Sequence, residues 1–496
     1  MSSGKPGQRV VRSGRRLIDP FARGALASTS PVGAARSPRR SNPTMEADGE
    51  ILTDVAEEHL DEAEFLLERF EAALSAANLT LADVERGVES RLLAHLDALS
   101  IGDDELVDQV LVPSLEAKKL APARATVVTI ALLLAGRAEL ATRTLRHEKP
   151  ALARAAVRGC SLGAEGALDA WILQGLAARR PPEERVPLLE LAAERGLAVS
   201  SAAESLDSAD AREVAAALRT LHAAAPEAYE RRILALFEHP SPMVRDAALV
   251  ASLHHGSLPG WAFCQTLAFD PSEPHPLAMT LVAGLGEPGQ HKRLAERLDS
   301  DAHRPSALRA IGYSGNAALI PALVFHAHAK DERTVKLAGE AIATIAGDEV
   351  NALVPPKDAP PAKEGELPPP EQDAEAQRAL PPLAKDDLDA DLVPPAEVAL
   401  PTLDADAVST WWKSARARFP ADRRYVDGVP ATRGGFAHAL TRFPMRRRYL
   451  LSLLLSIRTA GGARVATRAF TAAQRAQISV LAGRGQDPWA REFSLF

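Results

Sequence analysis

Cysteine, histidine and clustered carboxylate are the side chains of this 496-residue chain that could do chemistry. Cys160 and Cys264 stand far apart and fit no metal or redox spacing, so a disulfide scaffold is excluded and a reducing compartment is expected. Of thirteen histidines, only His147 is followed by Glu, and a single His-Glu pair is not a ligand set. His254-His255 and His326-x-His328 would diverge on a helix, which makes them solvated or capping residues rather than ligands. The run Gly284-Leu285-Gly286-Glu287-Pro288-Gly289 has dinucleotide-loop spacing. It follows a helical pattern rather than a strand and contains Pro288, so it reads as a turn ending a helical repeat. No G-x-S-x-G, H-E-x-x-H, C-x-x-C or Walker-type loop occurs. Glu57, Glu58, Asp61, Glu62 and Glu64 fall on an amphipathic helix, where a solvated face is the default and a basic partner the alternative. The expectation is a non-enzyme with no catalytic residue, cofactor or metal.

Side chains suited to gripping another molecule are better represented. Trp411 and Trp412 are adjacent, about 100° apart on a helix, so one is expected in the core and the other exposed. Arg446, Arg447 and Arg448, with Arg442 one turn earlier, form a basic ridge. That ridge is a solvated face, an internal partner for acidic helices, or a docking patch for an acidic protein. Trp411, Trp412, Arg446, Arg447 and Arg448 are therefore the candidate partner-binding residues.

The elements that must carry these residues are helical. Hydrophobic residues make up 46% of the chain and aromatic residues only 4%, with alanine and leucine dominant. So few aromatics argue against a sugar cleft or a base-stacking platform. The net charge of −7 conceals strong segregation: +8 over residues 1–44, −17 over 45–116, −1 over 117–350, −9 over 351–410 and +12 over 411–496. The −17 block and the +12 block are expected to attract one another, closing the solenoid or joining two copies. The apolar runs are too short to span a bilayer, and residues 1–44 lack the apolar core of a secretory signal, so no membrane association and a cytoplasmic location are expected.

A twelve-residue unit recurs between residues 117 and 350. It opens on Arg124, Arg154, Arg185, Arg212, Arg245, His275, Arg304 and Lys336, at intervals of 27 to 33. Three and six residues after each opener the side chain is apolar, except at Gly339. Eleven residues after five of the openers stands a glycine: Gly196, Gly256, Gly286, Gly315 and Gly347. Glycine there suits a left-handed helix stop. Pro150, Pro181, Pro182, Pro240, Pro242, Pro305 and Pro321 are placed between helices or at first turns. A unit of this length holds two short helices that bury their apolar faces only by stacking on neighbours.

Segments such as HPSPMVRDAALVASLHHG and DERTVKLAGEAIATIAG resemble HEAT repeats of the short bacterial type. Two further segments narrow the resemblance. One is His59-Leu60-Asp61-Glu62-Ala63 with Ala94-His95-Leu96-Asp97-Ala98; the other runs from Asp406 through Trp411-Trp412, Arg424-Tyr425, Gly428 and Arg447-Arg448 to Thr467-Arg468. Together they resemble an uncharacterised proteobacterial, myxobacterial-type HEAT-repeat family associated with type VI secretion clusters. The resemblance implies an armadillo-like helical scaffold and carries no reaction with it.

The expected layout is all-α: a disordered basic tail (1–48), an acidic helical module (49–116), a solenoid of about eight HEAT-like repeats (117–350), a Pro/acid-rich linker (351–400) and a basic helical module (401–496). The expected function is a non-enzymatic scaffold or adaptor for an unidentified protein, gripped by one helix of each pair. The alternatives are a nucleic-acid-binding HEAT protein and a lyase or isomerase related to bilin lyases. Nucleic acid is not the expected partner, because residues 117–350 are not basic enough for a phosphate track.

Overall fold

The computed structural model describes residues 53–101, 104–163, 166–178, 180–221, 226–353 and 396–482, all within one compact unit, Ile51–Phe496. The expected tail (1–48) and the linker from 354 to 395 lie outside the described residues. The described residues are almost entirely helical; the one paired strand element is a hairpin of Tyr425–Val426 (β1) and Val429–Pro430 (β2). No described helix is long and apolar enough to cross a membrane.

The acidic segment forms α1 (Thr53–Ala73), α2 (81–101, with a π-turn at Glu85–Glu89) and α3 (104–115). Thr80 and Asp83 close a reciprocal capping box at the start of α2. Leu60, Leu66, Phe70, Leu92 and Leu96 point inward, and α1 and α2 pack together onto the next helix.

Eight helices then carry the eight openers: α4 (Pro122–Leu134), α6 (Pro150–Leu162), α8 (Pro182–Arg195), α9 (Ala211–Thr220), α11 (Pro242–His254), α13 (Pro276–Leu285), α15 (Arg304–Ser314) and α17 (Glu332–Ala346). Between them lie α5 (Ala138–Arg143), α7 (Gly166–Ala177), a 3-10 segment (Ser200–Asp207), α10 (Pro226–Ala235), α12 (Leu258–Ala268), α14 (Pro288–Glu296) and α16 (Ile320–Ala327). Each opener-bearing helix packs on the next from α4 to α11; α12 bridges α11 to α13, and α13, α15 and α17 again pack in succession. All sixteen positions three and six residues beyond an opener are buried, which is why they are apolar or glycine.

Four of the openers reach back to the preceding unit, while Arg124 pairs with Asp61 and Glu64 on α1, Arg185 reaches forward to Glu204 and Glu213, and Arg154 and Lys336 bond within their own helices. Arg212 pairs with Glu190, His275 Nε2 lies 3.3 Å from Asp246, and Arg245 and Arg304 donate to the carbonyls of His239 and Leu298. Proline takes the first or second position of α6, α8, α11, α15 and α16, where its missing N–H is harmless. Four of the five stop glycines have positive φ; Gly286 is extended at φ −92° and ends α13 without a left-handed turn. Gly159 brings α4 and α6 together: a Cβ there would meet Thr129 Cβ at 2.6 Å and the Thr126 carbonyl at 2.9 Å.

Candidate functional site

Residues 396–482 carry all five candidate residues. They form α18 (Ala405–Ala415), the hairpin, α19 (Arg433–Arg442), α20 (Met445–Arg458) and α21 (Thr471–Ala482). This chain segment visits the carboxyl ends of the opener-bearing helices in reverse order. The hairpin comes first: Tyr425 N donates to the Gly315 carbonyl, Asp427 N to Thr344 and Gly428 N to Ile345, at 2.8 to 3.0 Å, closing the ends of α15 and α17. A side chain at Gly315 would strike the Tyr425 carbonyl at 2.6 Å, so that glycine is required by contact as well as by φ.

Arg424 is the centre of this arrangement. It is 3% exposed, and its guanidinium donates to the carbonyls of Ser314 (2.6 Å), Gly284 (2.5 Å) and Ala283 (2.5 Å), at the carboxyl ends of α15 and α13. These carbonyls have no intrahelical donor and carry the negative pole of each helix, so a buried cation suits them. Burial, with Arg458 close by, pulls the Arg424 guanidinium well below its usual value. His291, held neutral with its pKa lowered to about 3 by burial and the Arg424 charge, bonds the same Ala283 carbonyl. Arg458 adds a bond to Gly284, His254 at the end of α11 bonds Ser456, and Arg464 donates to Ala193 at the end of α8.

The segment then reaches the acidic helices. Glu71 takes both Arg158 and Arg468, and Arg475 pairs with Glu85. Glu89, 2% exposed, accepts from the backbone N–H and hydroxyl of Thr471, at the start of α21. Burial raises the Glu89 carboxyl above its ordinary value, against the Thr471 bonds that lower it. Met445 N and Arg446 N donate to Leu79 and Ala76 carbonyls beyond α1. The expected attraction between the acidic and basic blocks is thus realised as specific pairs within one chain.

This geometry corrects one expectation. Arg446, Arg447 and Arg448 are not a docking ridge. Arg447 and Arg448 are 2% and 0% exposed, and the Arg446 side chain is 8% exposed. Arg446 bridges Glu340 and Glu397 at 3.1 Å; burial works to lower its pKa, but the two carboxylates outweigh it and hold it above normal. Arg447 lies over the Phe443 ring, 3.6 Å from Glu340. Arg448 donates to the Leu440 carbonyl and to Gln474, and burial lowers it to about 10. The residues of a buried ridge cannot meet a partner; their side chains pair internally, with Glu340, Glu397 and Gln474 rather than with the acidic module.

Trp411 and Trp412 are both half-buried, rather than one inside and one outside. Their rings lie 6.0 Å apart and continue an aromatic file through Phe419 to Tyr425. Arg418 covers Trp411 and donates to Glu349 at 2.9 Å; both charged side chains are more than half exposed. On α16, against which α18 packs, Phe325 is 74% exposed. Tryptophan and arginine at a partly open surface are suited to holding a protein.

The enclosed cavity beside Arg424, lined also by Tyr313, Thr344 and Arg458, measures about 20 Å³, room for one water. Asp427, at φ 51° in the hairpin turn, lies 3.2 Å from His438 and accepts from Arg442, but this dyad anchors the turn and opens on no cavity of substrate size among the described residues. Burial pushes the Cys160 thiol up to about 12 and Cys264 higher still, so neither is nucleophilic. His147, His239 and His275 accept backbone N–H groups at helix starts, as capping residues do. The Gly284–Gly289 run joins α13 to α14, helix to helix. No protein-family model matches the chain, and no curated protein matches it.

Proposed function

We propose that this chain is a non-enzymatic scaffold or adaptor, an α-solenoid of HEAT-like repeats that binds a protein partner. The proposal places it in the cytoplasm and in the setting of type VI secretion, following the family resemblance. The observation that carries the reading is the open aromatic and charged surface at Trp411, Trp412, Arg418 and Glu349, standing where the neighbouring arginines are committed to helix ends. Burial of all sixteen repeat positions supports the stacked architecture. Nucleic-acid binding is the weaker reading, because Arg424, Arg447 and Arg448 are buried and cannot track phosphates.

The test is affinity capture from the native cell with the wild-type chain and with Arg418→Glu and Trp412→Ala. Both variants should keep the wild-type circular dichroism. A protein retained by the wild type and lost with Arg418→Glu supports the assignment. Retention of the same set by all three chains would remove this surface as the contact.

A further inference from the structure

The two His-Leu-Asp segments, 36 residues apart in sequence, meet in space. His59 stands on α1 and His95 on α2, and their Nδ1 atoms face each other at 3.0 Å, with ring centres 5.1 Å apart and planes at 65°. Both rings are half-buried and therefore reachable from solvent. Two imidazoles at this distance share one proton: one Nδ1 donates and the other accepts. Burial, together with the His59 ring and the Arg91 charge, holds His95 below its usual pKa, against the pull of Glu62.

We propose that His59 and His95 are a two-imidazole site for a divalent transition-metal ion, with both Nδ1 atoms as ligands and the shared proton moving to Nε2 of the ring that carried it. Metal–nitrogen bonds of about 2.0–2.1 Å across a 3.0 Å gap give an N–metal–N angle near 90°. That is the cis angle of tetragonal or octahedral coordination, so Cu²⁺ and Ni²⁺ fit better than tetrahedral Zn²⁺. No group of three or more His, Cys, Asp or Glu side chains among the described residues is placed to hold a metal ion. Water therefore completes the shell, with Glu62, one turn beyond His59 on the same helix, as the nearest electrostatic partner of His95 that is acidic. The site couples α1 to α2 and stiffens the acidic end of the molecule.

Isothermal titration of the full chain with Cu²⁺, Ni²⁺ and Zn²⁺ at neutral pH tests this. The chain has eleven other histidines, so the readout is the difference between wild type and variants. The wild type should bind one more equivalent of Cu²⁺ or Ni²⁺ than His59→Ala/His95→Ala and melt at a higher temperature with metal. Either single variant, His59→Gln or His95→Gln, should weaken that class roughly tenfold or more. Equal stoichiometry and equal metal-induced stabilisation in wild type and double variant overturn the proposal and leave the pair a structural hydrogen bond. A preference for Zn²⁺ over both other ions refutes the tetragonal geometry.

Discussion

Replacing Arg424 by alanine removes the cation on which two helix ends and the hairpin converge. Three short bonds are lost, to Ser314, Gly284 and Ala283. Hydrogen bonds to a charged group contribute about 1.5–3 kcal/mol each, and desolvating the guanidinium offsets several kcal/mol of that sum. Gly284 and Ala283 keep other donors, Arg458 and His291, so Ser314 suffers most. A net loss of about 3–5 kcal/mol is expected, the range for breaking a buried charged contact. Amide exchange reads this locally. At tenfold per ~1.4 kcal/mol, the amides of Tyr425, Asp427 and Gly428 should exchange roughly 10²–10³ times faster, while those of α4 and α6 stay unchanged. Arg424→Met retains apolar volume and should lose less, about 1–3 kcal/mol, from the exposed carbonyl dipoles. An increase below tenfold at those three amides in Arg424→Ala would show that the hairpin holds its place without the guanidinium, and the capping account would be wrong.

Three further outcomes follow from packing and charge. Gly159→Ala places a methyl group against Thr129 and the Thr126 carbonyl, forcing α4 and α6 apart; thermal denaturation should show a loss of about 1–3 kcal/mol. Glu89 has a raised folded pKa, so stability is full below the ordinary carboxylate range and falls as pH rises through the folded value. The melting temperature of Glu89→Gln minus that of wild type should therefore increase with pH across that window and then level; a decrease would contradict the sign. Cys160 and Cys264 should resist a thiol reagent in the folded protein and react stoichiometrically in denaturant; rapid reaction at neutral pH would contradict their burial.

Local periodicity carried the helical reading a long way. The phase of the repeat unit, the buried third and sixth positions and most of the glycine stops were legible because each depends on residues within one helix and its neighbour. His255 and His328 stand at the C-cap positions of α11 and α16, where that short-range logic put them. The basic openers were visible as a pattern, but their partners were not, since those are carbonyls and carboxylates of the preceding unit for some and of their own or the following unit for others. A backbone carbonyl has no sequence signature.

The same limit explains the misread ridge. Arg446, Arg447 and Arg448 look alike on a helical wheel whether they face water or Glu340, and only the path of the chain decides which. Composition and local spacing determined that this protein is helical and charge-segregated, because those are properties of residue types and short stretches. Tertiary structure alone decided that the basic segment runs back along the helix ends, that Glu89 meets Thr471, and that His59 meets His95. Those contacts join residues whose separation in sequence is set by the fold, and their strength comes from burial, which no linear pattern encodes.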